Sequence, residues 1–256
     1  MGLSLWGFAA LAAATALVGF SKTAVSGANT VSLAVFAAVL PARASTGVLL
    51  PLLIVGDLVA VASYRRHAHW PTLLRLFPAV AAGVVVGTGF LVWAGDAVVP
   101  VSIGAILILM ACVTMWRRRA AARREGDDQG ADREPGTGAG RAKARSYGVL
   151  GGFTTMVANA GGPVMSMYLL SAGFDKWRFL GTSAWFFLVV NVSKLPFSAG
   201  LGLIDGHSLL LDLSLAAFVF PGAYVGRRCA ARLDQRLFER LVIAATLLGG
   251  VELLLR

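Results

Sequence analysis

The sequence predicts an all-α integral membrane protein built from two inverted repeats, each a broken or re-entrant helical hairpin followed by three transmembrane helices. Three observations predict it. Of the 256 residues, 57% are hydrophobic and only 14% are charged, whereas a soluble domain carries about 25% charged residues. Apolar runs long enough to cross a bilayer recur along the whole chain. The glycine and polar punctuation of the first half also returns in the second.

The apolar segments run over 2–20, 24–40, 44–63, 73–94, 97–116, 147–172, 179–203, 207–226 and 237–255. The first, "MGLSLWGFAALAAATALVGF", lacks the basic start of a signal peptide and reads as mature protein. "GFSKTAVSGANT", 19–30, interrupts the apolar pattern with Lys22 and a cluster of small polar residues. The next run, "ASTGVLLPLLIVGD", carries Asp57 inside an otherwise apolar span. Residues 117–146, "RRRAAARREGDDQGADREPGTGAGRAKARS", contain no large apolar side chain. They read as a flexible linker, because such a segment buries too little surface to offset its ordering entropy. The chain therefore divides into a first membrane repeat, 1–116, a charged cytoplasmic linker, 117–146, and a second, inverted repeat, 147–256.

Gly19-Phe20 matches Gly152-Phe153, and the break Ser26-Gly27-Ala28-Asn29 matches Asn159-Ala160-Gly161-Gly162. "ASTGVLLPLLIVGD", 44–57, parallels "LGTSAWFFLVVNVS", 180–193, in pattern. Phe77-Pro78 and Phe220-Pro221 each precede glycines four apart, Gly83/Gly87 and Gly222/Gly226. Small residues at that spacing let two helices approach closely in lipid.

The net charge of +10 would suggest nucleic acid in a soluble protein. Here Arg and Lys sit mostly in loops, so anionic lipid is the expected neighbour and no nucleic-acid partner is expected. Loop 64–75 is basic while its counterpart 196–206 has no Lys or Arg; the loop with Arg227, Arg228, Arg232, Arg236 and Arg240 reverses that bias. Cationic loops stay in the cytoplasm, so the swap implies opposite topology for the two halves. That is the pattern of secondary transporters. If every run spanned, the basic loops would fall on opposite sides. Re-entrant hairpins restore the rule, with both termini outside; for the first hairpin the sequence leaves re-entrant and fully spanning forms open.

A helix break at membrane depth is tolerated only in buried or cavity-lining backbone. It exposes N–H groups at a new helix start, which attract anions. Pro163 suits the first position of such a helix. A charge at the bilayer centre usually marks a pathway or has a partner. Lys22 at the first break and Lys194 in "VVNVSKLPF" therefore point to an anionic substrate; the competing reading is that both snorkel to an interface. The expected site joins Ser26, Gly27 and Asn29 to Asn159, Gly161 and Gly162. Thr182, Ser183, Asn191 and Lys194 complete a polar wall, Lys22 stands at an entrance, and Asp57 either carries a coupled proton or pairs with a lysine. Asp212 lies nearer a helix end.

Cys112 and Cys229 have no metal or redox spacing, and His67, His69 and His207 lack ligand-spaced acids. There is no nucleotide-binding, nucleophile-elbow or HExxH motif. No enzyme activity, metal or cofactor is expected.

"GGFTTMVANAGGPVMSMYLLSAGFDKWRFLGTSAWFFLVVNVSKLPF", 151–197, resembles the second repeat of the sulfite exporter TauE/SafE family of bacterial membrane permeases. The Gly-Gly-Pro break, the Gly-Thr-Ser helix entry and Asn-x-x-Lys-x-Pro carry the match. "GFSKTAVSGANTVSLAVFAAVLPARASTGVLLPLL" resembles the first repeat, with fewer glycines than the family usually shows. The resemblance implies transport of sulfite or an organosulfur anion without a prosthetic group, by a multi-pass protein of the bacterial cytoplasmic membrane. The alternatives are an anion channel and an accessory subunit of a membrane enzyme. The sequence leaves a homodimer open.

Overall fold

The computed structural model describes residues 4–25, 29–40, 42–93, 138–200, 202–204 and 206–254. Within them the chain is helical, without strands. α1 spans Leu5–Thr23, α2 Asn29–Val39, α3 Ala42–Tyr64 and α4 Trp70–Trp93, with a 3-10 turn at Arg65–His67. α5 spans Gly138–Ala158, α6 Gly161–Ser171, α7 Lys176–Gly200, α8 Gly206–Arg232 and α9 Gln235–Leu254. The expected run 97–116 and most of the linker lie outside the described residues. Residues 138–146, expected to be linker, instead begin α5. The alanines, arginines and lysine of that stretch are good helix formers, so local propensity carries the helix back from its apolar part.

Among the described residues five helices are long and apolar enough to cross a membrane: α1, α3, α4, α7 and the part of α8 from Ser208 to Arg232. α2 and α6 have 11 residues each. At 1.5 Å per residue they reach roughly 16 Å, about half of a 30 Å hydrocarbon core. Each follows a break, and each packs against the longer helix before it: α2 on α1 and α6 on α5.

The two most extensive helix pairs cross between the halves, α4 with α5 and α1 with α8. Glycine permits both. A methyl on Gly222 would strike the Ala16 backbone carbonyl, and one on Gly19 the Val219 carbonyl. In the other pair, a methyl on Gly83 would strike Val149 and one on Gly152 would strike Val80, again at backbone carbonyls. So the Gly-Phe of each half lies against the paired glycines of the other. In lipid, association depends on van der Waals contact and interhelical hydrogen bonds, which explains why these residues are small. The Thr23 hydroxyl adds one such bond, to the Ala223 carbonyl at 3.1 Å.

The connections sort to two ends. At one end Trp177 packs against Tyr64 and His67. There the Lys176 ammonium donates to the Leu233 carbonyl, and Gln235 Oε1 accepts from the Lys176 backbone N–H. Arg65, Arg66, Arg227, Arg228, Arg232 and Arg236 are exposed. At the opposite end of α3, Gly47 lies against Leu203. α3 and α7 pack together with Gly47 meeting Leu203 and Gly181 meeting Tyr64 and His67, so they run antiparallel.

Two apolar clusters fill the core. One gathers Leu11, Val18, Leu33, Phe36, Leu49 and Leu53 around α1, α2 and α3. The other gathers Leu76, Val80, Met165, Phe179, Phe187 and Phe238 around α4, α6, α7 and α9.

Candidate functional site: a buried polar seam between the helix breaks

The polar residues expected at membrane depth meet where the two apolar clusters meet. Leu53 from one cluster and Phe187 from the other line a single cavity, together with Lys22, Asn29, Thr155, Asn159, Gly162 and Asn191. About 20 Å³ of it is open to the centre of a water molecule, room for about one water.

Lys22 stands one residue before the end of α1, where the helix stops at Ala24. Its ammonium is 2.7 Å from Asp57 Oδ1, and the Asp57 side chain is fully buried. The Phe187 ring lies beneath the same ammonium, 4.5 Å from its centroid, a favourable place for a desolvated cation. Asn191 Nδ2 donates to Asp57 Oδ2 at 2.6 Å. The carboxylate is thus held from both sides, by a helix-end lysine of the first half and an amide of the second.

The second break is built around Asn159. It has φ 52°, the only positive φ at a non-glycine among the described residues. Asparagine is the ordinary residue that tolerates this left-handed conformation at a helix end. The turn is secured by Asn159 N–H to Thr155 O at 3.0 Å and Ala160 N–H to Thr154 O at 3.1 Å. The Lys194 ammonium donates to Asn159 Oδ1 at 2.5 Å and to the Thr155 carbonyl at 2.6 Å. A lysine offers only donors, so this contact fixes the amide with its oxygen toward Lys194. The other end, Asn159 Nδ2, is buried and without a partner, as is Asn29 Oδ1. α6 then starts at Gly161 with no side-chain cap. Its first N–H groups therefore remain unbonded within the helix. Pro163 is the third helical residue rather than the first, still within the turn where a missing N–H costs nothing.

The structure brings together Lys22, Asn29, Asp57, Asn159, Gly162, Asn191 and Lys194 of the expected set. Lys22 lines the cavity instead of standing at an entrance. Lys194 lies behind Asn159, outside the cavity lining. Gly161 is a packing residue: a methyl there would meet the Thr155 side chain. Thr182 and Ser183 do not join the site. The Thr182 hydroxyl accepts the His69 backbone N–H at 3.0 Å, and the Ser183 hydroxyl donates to the Leu180 carbonyl at 3.2 Å. Thr182 fastens the start of α7 to the 65–69 loop, whereas the Ser183 bond stays within α7; in that loop burial and the Arg178 and Arg75 guanidinium groups hold the His69 imidazole below its usual pKa. Ser26 and Gly27 lie outside the described residues.

Thr155, Phe187 and Leu53 were not expected. Thr155 contributes through its backbone, which carries no side-chain signal. Phe187 and Leu53 are ordinary apolar residues of a span until a lysine from another helix reaches one of them. Among the described residues no cluster of three His, Cys, Asp or Glu side chains could hold a metal.

No curated protein and no solved structure matches the chain. A family model described as "Sulfite exporter TauE/SafE" matches residues 11–253, which takes in both helix breaks, Lys22, Lys194 and every residue lining the cavity. A multi-pass helical chain with that match is a membrane transport protein, and this one belongs to the TauE/SafE sulfite exporter family.

Proposed function

We propose that the chain is a secondary transporter that moves a small anion, sulfite or an organosulfur anion, across the cytoplasmic membrane. The observation that carries this reading is the convergence of two lysines, the nearly buried Lys22 and the buried Lys194, on two helix breaks that share one cavity. A bilayer-depth cavity with Lys22 in its wall, Lys194 behind Asn159, an unpartnered amide N–H and an uncapped helix start offers an anion what water would.

In this reading α1–α2 and α5–α6 are re-entrant hairpins that enter from opposite faces, each followed by spanning helices in inverted repeats. The half-bilayer length of α2 and α6 and the reciprocal glycine contacts support it. The arginine-rich end faces the cytoplasm, following the positive-inside rule. A water-sized cavity is a closed state, and an anion enters once a hairpin shifts against the opposite half. Alternating access about a fixed midplane site provides such a shift.

The ion pair supplies the coupling. An anion competes with Asp57 for the Lys22 ammonium. A buried carboxylate that loses its cation is costly to leave charged, so Asp57 takes up a proton as Lys22 turns to a doubly charged substrate such as fully deprotonated sulfite, and stays ionised beside a monoanion. In proteoliposomes, sulfite flux driven by a pH gradient tests this. Wild-type flux should follow the gradient, and Asp57→Asn should lose that dependence while remaining folded. Flux indifferent to the gradient in the wild type would refute coupling, and no sulfite flux would refute the substrate.

A further inference from the structure

The charged groups that meet at the seam do not cancel. Asp57 from α3 and Lys194 from α7 are buried, and the side chain of Lys22 from α1 is only 9% exposed. Lys22 and Lys194 are the only charged groups acting on Asp57 among the described residues. With both lysines protonated and Asp57 ionised, these three groups leave the seam one positive charge in excess. An uncompensated charge at this depth is expensive, so the most favourable occupant returns the total to zero. The unpartnered, buried Asn159 Nδ2 points to where it sits, since Lys194 holds that amide with its donor end free.

We infer, on the basis of the anion site proposed above, that the cavity is charge-matched to a small oxyanion bearing one negative charge, and that a dianion binds only together with one proton held by Asp57. The two cases are equivalent in total charge. A hydrogen-bearing monoanion such as hydrogensulfite brings its own proton and leaves the Lys22–Asp57 pair charged. A fully deprotonated dianion adds a second negative charge, which protonation of Asp57 removes. The cavity thus selects on total charge, proton included, as well as on size.

Two tetrahedral probes with fixed charge near neutrality separate these cases: methanesulfonate, a monoanion, and sulfate, a dianion. Binding of each to the purified full chain is measured at pH 6 by calorimetry in buffers of different ionisation enthalpy, which also counts protons taken up. Methanesulfonate should bind at least ten-fold more tightly than sulfate and without proton uptake. Sulfate should take up close to one proton. Asp57→Asn makes the seam one charge more positive, so sulfate should gain at least ten-fold relative to methanesulfonate and its proton uptake should vanish. Sulfate binding as tight as methanesulfonate in the wild type, or with no proton uptake, would overturn the inference and leave the anion site standing. An unchanged ratio in Asp57→Asn would do the same. Binding of neither probe, with sulfite also failing to bind, would overturn the anion-site reading itself.

Discussion

Lys22 and Asp57 form an ion pair inside a membrane protein, and a double-mutant cycle can measure what it is worth. The two charges are 2.7 Å apart. At an effective dielectric of about 20 their attraction is roughly 6 kcal/mol before desolvation is counted. Burial takes back much of that, and only the coupling is observable. Lys22→Met leaves a fully buried carboxylate with the single amide of Asn191. Breaking such a pair from one side costs about 3–5 kcal/mol. For a chain of this length each kcal/mol lowers the melting temperature by about 2–4 °C, so the expected fall is roughly 6–20 °C. Asp57→Asn leaves the ammonium with the Phe187 ring as its favourable neighbour and should fall by a similar amount. The double variant Lys22→Met/Asp57→Asn removes both charges and should be more stable than either single one, because replacing both partners of a buried pair is often close to neutral. Thermal unfolding of the four proteins in one detergent gives the coupling, expected to exceed about 1.5 kcal/mol. Additivity within about 0.5 kcal/mol would mean that the two side chains do not share a desolvated contact, and the charge-exchange mechanism would lose its basis.

Lys194→Met removes the ammonium from Asn159 Oδ1 while Thr155 O keeps its bond from the Asn159 N–H; one buried acceptor is orphaned, a cost of about 1–3 kcal/mol, and sulfite affinity measured by calorimetry should fall roughly ten-fold or more as the amide loses its fixed orientation. Gly222→Ala drives a methyl into the Ala16 carbonyl and should destabilise by about 1–3 kcal/mol, whereas Gly89→Ala, in α4 with nothing near its added methyl, should be neutral or stabilising by up to about 1 kcal/mol; equal melting temperatures for the two variants would contradict the close α1–α8 approach.

Composition and pattern alone determined that this chain is a polytopic helical membrane protein. Bilayer physics is unforgiving, and runs such as 44–63 and 73–94 have few other uses. The breaks were equally legible, because Lys22 and Asn159-Ala160-Gly161-Gly162-Pro163 are poor continuations of a buried helix. The glycines four apart signalled close helix contacts, since a missing side chain at regular spacing is a local mark of a tertiary event. What each glycine pair touches was not local: Gly222 and Gly226 meet α1, and Gly83 and Gly87 meet α5. The same limit governs the site. Sequence singled out Lys22, Asp57, Asn191 and Lys194 because polar groups at membrane depth demand partners, but it could not assign those partners. Only the packing of α1, α3, α5 and α7 decided that Asp57 takes Lys22 and Asn191, that Lys194 takes Asn159, and that Thr182 serves a loop. Phe187 shows why: a phenylalanine in an apolar span is indistinguishable from its neighbours until the fold sets its ring beneath a cation. Chemistry that one residue must satisfy is written along the chain, whereas the choice among several possible partners depends on distances across the membrane that arise only when the helices pack.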